Sequence, residues 1–140
     1  MSSDPSNLQR FVDAQAPVFD QVSAELRAGR KRTHWMWFVF PQIRGLGASQ
    51  MAQVYGIGSL EEAAAYLQHP LLGPRLRDCT HLVNELRDRS IEAIFGAPDY
   101  LKFRSCMTLF ARASADNQVF VDALDKYYGG QPDGATLERL

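Results

Sequence analysis

The residues best suited to chemistry lie between Gly29 and Gly47, in the stretch GRKRTHWMWFVFPQIRGLG. Arg30, Lys31 and Arg32 stand just ahead of Trp35, Trp37, Phe38 and Phe40, with His34 at the junction. If residues 34–40 are helical, the basic run precedes a helix N-terminus, where unpaired N–H groups also favour anions. A planar ring can then stack on Trp35 or Trp37 while the cations take its phosphate or carboxylate oxygens. The loop PQIRGLG that follows adds Gln42 and Arg44 on a turn whose two glycines permit close backbone approach. Further along, Arg104, Thr108 and Arg112 recur every four residues on a mostly apolar segment, where an arginine needs an acceptor. A structural carboxylate such as Asp99 or Glu92 is one acceptor, and a bound anion is the other. The candidate ligand-binding set is therefore Arg32, His34, Trp35, Trp37, Gln42, Arg44 and Arg104. A competing reading makes both tryptophans core, the basic run a solvated surface and the glycines elements of chain reversal.

Several chemistries lack their residues. Cys79 and Cys106 have no CxxC spacing and the chain holds three histidines, so neither a zinc site nor a redox motif is indicated, and buried thiols are expected. Neither GxxxxGK[ST] nor GxGxxG occurs, which removes the nucleotide fingerprints that carry a mechanism. No GxSxG elbow is present, and His34, His69 and His81 form no nucleophile–base pattern. No catalytic residue, metal ligand or cofactor is assigned, which leaves open whether the protein is an enzyme. Fifteen basic against sixteen acidic side chains give a net charge of −1 and no global field for nucleic acid or an anionic membrane. No apolar run approaches the roughly 18 residues of a membrane span, and the N-terminus lacks a secretory pattern, so a cytoplasmic location is expected.

These residues need a scaffold. A chain of 140 residues fits one domain and can bury roughly 70% of its unfolded surface. With 46% apolar and 22% charged residues it has the composition of a packed protein, and a single α-helical domain over 1–140 is expected, flexible over 1–6. Leu8, Phe11, Val12, Phe19, Val22 and Leu26 mark one helical face ending near Gly29, and Pro17 splits or kinks it, entering the first turn of the second piece. Ser49, Ser59 and Ser90 start helices, Ser59 with Glu62 as a capping box. Leu72, Leu76, Cys79, Val83 and Leu86 stripe a longer helix with a charged outer face. The segment from Asp99 is apolar around much of its circumference, which marks it as the hub of the core. A last main helix spans about 117–128. WMWFVF is the best strand candidate, but a lone strand has no partner, so a short buried helix with Thr33 as cap and Pro41 as stop is expected. The fold class is all-α, a compact multi-helical bundle.

The blocks RKRTHWMWFVFPQIRGLG, YGIGSLEEAAAYLQHPLLGPRLRDC, IFGAPDYLKFRSCMTLFA and YYGG together resemble the bacterial family called domain of unknown function 1810. The resemblance covers about residues 8–140 and implies a compact α-helical protein. It brings no activity and no site residues. Members often carry the label calpastatin, yet calpastatin is a long disordered inhibitor and this chain is composed as a packed domain.

Two functions follow from the aromatic-basic block. One is binding of a small anionic ligand, nucleotide or ADP-ribose-like. The other is a protein–protein or homodimer contact through exposed aromatics, without catalysis. Nucleic acid is the least favoured partner on charge.

Overall fold

Apolar side chains recur at helical spacing from Leu8 onward, and the computed structural model, which describes residues 4–140, folds them into ten α-helices with no strand among those residues. The protein is all-α. Of the N-terminal segment expected to be flexible, residues 1–3 lie outside the described residues. From Asp4 the chain turns into the first helix, with the Asp4 carboxylate accepting from the Leu8 and Gln9 amides at 2.7 and 2.9 Å.

Helices α1 (Gln9–Gln15) and α2 (Phe19–Ala28) are two pieces divided at Pro17. Pro17 sits in the connecting turn and not in the first turn of α2, which Val18 opens. Helix α2 stops at Gly29, whose φ of +76° lets its N–H close back on the last carbonyls, a conformation that L side chains adopt at a cost. Helix α3 (Met36–Val39) is one turn, followed by α4 (Gln50–Val54), α5 (Leu60–Gln68), α6 (Leu72–Glu85), α7 (Ile91–Phe95), α8 (Asp99–Ala113), α9 (Gln118–Tyr128) and α10 (Gly134–Leu137). Ser49, Ser59 and Ser90 each accept, at 3.1 Å, an amide three residues on, as their sequence positions require. The Glu62 carboxylate, expected to return to Ser59, pairs instead with Arg10 at 3.0 Å.

Helix α8 is the hub, packed against α5, α7, α9 and α10. Its Phe103, Cys106, Met107, Leu109 and Phe110 are buried on several sides. Rings link the layers: Phe40 meets Phe103 at 5.0 Å, and Tyr66 meets Phe11 at 5.1 Å and Phe110 at 5.3 Å between centroids. Burying one such side chain contributes roughly 1.5–3 kcal/mol. Cys79 and Cys106 are free and buried, and burial pushes both thiols up, Cys79 to about 12, so neither is a ready nucleophile.

WMWFVF forms the expected short buried helix. Its cap differs from expectation: Trp35 holds the N-cap position without a side-chain capping bond, and the Thr33 hydroxyl donates to Glu25. At the other end of α3, buried Gln15 donates from Nε2 to the Phe38 carbonyl at 2.7 Å and to the Tyr66 hydroxyl at 3.0 Å. The loop after α3 is pinned to residues 56–58. The Arg44 amide donates to Ile57 O at 2.7 Å and the Ile57 amide to Gln42 O at 2.8 Å.

Candidate functional site

The N–H groups ahead of α3 do point together, and a carboxylate of the protein itself occupies them. Glu25 lies on the apolar face of α2 beside Val22 and Leu26 and is 3% exposed. Its Oε1 accepts the Arg32 amide at 2.6 Å, the Thr33 amide at 3.0 Å and Trp35 Nε1–H at 3.1 Å. Oε2 accepts the Thr33 hydroxyl at 2.6 Å and Gln21 Nε2 at 2.9 Å. Burial opposes ionisation of Glu25, but the bonds from Thr33, Arg32 and Gln21 override it and hold its pKa at about 2. Trp35 is sealed at 1% exposure, with the Lys31 ammonium 5.2 Å from its ring centroid. Of the basic run, Lys31 is bound inward to Asp99 at 2.9 Å. Arg30 and Arg32 are exposed and, with Gln21 and Glu25, line a hollow of about 230 Å3. His34 is exposed beside them.

Trp37 has a different setting. It is half-buried, and Lys102 Nζ from α8 stands 5.2 Å from its ring centroid. Lys102 also reaches Asp99 at 3.5 Å, so two ammonium groups share one carboxylate. Beyond Lys102 opens a cleft of about 250 Å3 between the 42–47 loop, the first turns of α8 and the start of α10. Gln42, Lys102, Ser105 and Asp133 are its polar lining, and Leu46, Pro98, Leu101 and Ala135 its apolar walls. Gln42 also borders, with Trp37, a small cavity of about 10 Å3, room for about one water. The glycines of this loop serve internal packing: Gly45, at φ +101°, lies against the Arg139 guanidinium, and Gly47 against the Ala52 methyl.

The seven residues nominated from sequence thus divide. Gln42 lines the cleft, and Trp37 meets it only at the small cavity. Trp35 and the Arg32 amide belong to the Glu25 cluster. Arg44 is exposed and donates from Nη2 to Gly56 O at 3.0 Å. Arg104 finds its acceptor in a backbone carbonyl, Gln131 O at 2.9 Å, in place of the expected carboxylate, and its guanidinium stands 5.7 Å from the Tyr128 centroid. Glu25 was legible as a charge at a core position of an amphipathic helix. Asp133 carried no comparable signal, because its role depends on a contact between the tail and α8.

Two larger hollows, of about 310 and 340 Å3, run along α6 and contain none of the nominated residues. Among the described residues no group of His, Cys, Asp and Glu could hold a metal, and no helix is long and apolar enough to cross a membrane.

A small all-helical protein with one mixed-polarity cleft on its central helix is the class that fold and site define. The chain belongs to the family described as protein of unknown function (DUF1810), whose family model matches residues 5–140. Among solved structures it is similar to the conserved hypothetical protein Rv1873 from Mycobacterium tuberculosis, with 66% identity, a TM-score of 0.97 and 98% of each chain covered. No curated protein matches it.

Proposed function

We propose that this protein binds a small anionic ligand in the cleft between the 42–47 loop and α8. The observation that carries this reading is the position of Lys102, which lines the cleft with Gln42 and shares Asp99 with Lys31. An ammonium that shares its carboxylate with a second lysine, beside a carboxamide, suits phosphate or carboxylate oxygens. Half-buried Trp37, with Lys102 Nζ 5.2 Å from its ring centroid, is the indole placed to sense a change at Lys102. Of the nucleotide-like ligands, those of mononucleotide size fit best, because about 250 Å3 lies below the roughly 300–1,000 Å3 of drug-sized ligand pockets. Both free thiols suit the reducing cytoplasm, where we infer that the protein acts.

Thermal shift and tryptophan fluorescence with inorganic phosphate, mononucleotides, ADP-ribose and NAD test this reading. A saturable response that weakens about tenfold in Lys102→Met supports it, and silence with every anion removes it. Exposed Leu101, 48% accessible at the rim beside Pro98, favours a second reading as a protein or homodimer contact. A concentration-dependent mass by light scattering that Leu101→Asp abolishes selects that one.

A further inference from the structure

Lys102 and Asp133 bring opposite charges to the lining of the cleft. Asp133 opens α10, and its carboxylate is held in place. Oδ2 accepts Ser105 Oγ at 3.0 Å, Thr136 Oγ1 at 2.6 Å and the Thr136 amide at 3.1 Å. The Asp133 amide in turn donates to Thr108 Oγ1 at 2.8 Å, which fixes the residue to α8 at main chain and side chain. Its second oxygen, Oδ1, accepts no hydrogen bond from the described residues. A ligand that is anionic throughout meets repulsion at Asp133. One that brings hydroxyl donors meets a rigid, partly unfilled acceptor whose orientation costs no further entropy. Carboxylates recognise ribose hydroxyls in this way in dinucleotide-binding folds of unrelated architecture. Leu46, Pro98, Leu101 and Ala135 line the same cleft and give carbon surface for a flat or sugar ring.

We propose that the cleft takes a ribonucleoside 5′-monophosphate, with the phosphate on Lys102 and the Gln42 carboxamide and the ribose diol donating to Asp133. This assignment rests on the anionic-ligand reading above. Titration calorimetry compares the four ribonucleoside 5′-monophosphates, their 2′,3′-dideoxy counterparts and inorganic phosphate on the wild-type chain. The expected result is that at least one ribonucleotide binds and its dideoxy counterpart binds about tenfold more weakly. Asp133→Asn keeps a side-chain oxygen to cap α10 and removes the charge. It is expected to lose that tenfold preference while its affinity for phosphate is unchanged or higher. Dideoxy and ribo forms that bind within a factor of two overturn the diol contact and leave the anionic-ligand reading standing, as does binding of phosphate without any nucleotide. Silence with every anion overturns both.

Discussion

Trp35 and Trp37 lie two positions apart, each with a lysine ammonium 5.2 Å from its ring, and they lead opposite lives. Around Trp35 each polar group has an internal partner: the indole N–H, two amides and a hydroxyl converge on Glu25, and Lys31 is spent on Asp99. Around Trp37 the partners are incomplete, since Lys102 has half a carboxylate and faces a cleft with Gln42. The same residue types therefore yield donors already filled by the chain's own carboxylate in one place and, on the function proposed above, an open anion site in the other. What separates them is whether a side chain from another element arrives to neutralise the local donors. Spacing along the chain does not decide it.

The comparison breaks most sharply at Glu25. Glu25→Ala leaves the Trp35 N–H, the Thr33 hydroxyl and two amides without their acceptor and is expected to cost about 3–4 kcal/mol by urea unfolding at pH 7. If the cluster is a filled anion site, added formate recovers part of that loss in the variant and nothing in the wild type. A loss under 1 kcal/mol contradicts the assignment.

The same carboxylate gives the stability a sign with pH. Its folded pKa of about 2 lies below the ordinary 4.5, so its contribution is fully present above about 4.5 and is lost as pH falls from there toward 2. Wild type is expected to lose more stability across that window than Glu25→Gln, which titrates nothing at this position. Parallel curves for the two proteins refute a charged Glu25 as the clamp.

The elements were readable wherever a local rule decides them. Ser49, Ser59 and Ser90 cap as their positions require, Gly29 ends α2, and the encircling apolar pattern of residues 99–113 is that of the hub. Local rules failed where a long-range partner outbid them. Thr33 left its capping position for Glu25 and Glu62 left Ser59 for Arg10, and in both cases the new bond joins separate elements. The candidate site was legible in part for the same reason. Gln42 stands out as a carboxamide on the turn after the aromatic block, whereas Lys102 and Asp133 reach the cleft only through packing of α8 and the tail.

Smaller effects separate the tryptophans directly. Trp35→Phe strips one donor from Glu25 and leaves space in the core, for an expected loss of about 2 kcal/mol. Trp37→Phe is expected to cost under about 1 kcal/mol, since a half-buried ring gives up less contact, and to remove most of any ligand-dependent fluorescence change. Equal losses, or a fluorescence response that survives in Trp37→Phe, erase the distinction between the two regions.

The smallest expected effect falls on Arg104, which the sequence offers as an anion ligand. Its Nε–H is committed to Gln131 O and its guanidinium stands near the Tyr128 ring, at the stretch between α9 and α10. Arg104 does not line the cleft as Lys102 does, although both belong to α8. Arg104→Ala therefore gives up one partly exposed hydrogen bond and a cation–π contact, about 1 kcal/mol of stability in all, and leaves anion affinity within a factor of two of wild type. Lys102→Met is the reverse, with stability nearly unchanged and anion affinity lowered about tenfold. An Arg104→Ala variant that binds anions tenfold more weakly moves the site toward the tail end of α8 and away from Trp37. Side-by-side titration of the two variants with the same mononucleotide decides which arginine or lysine on the central helix the anion meets.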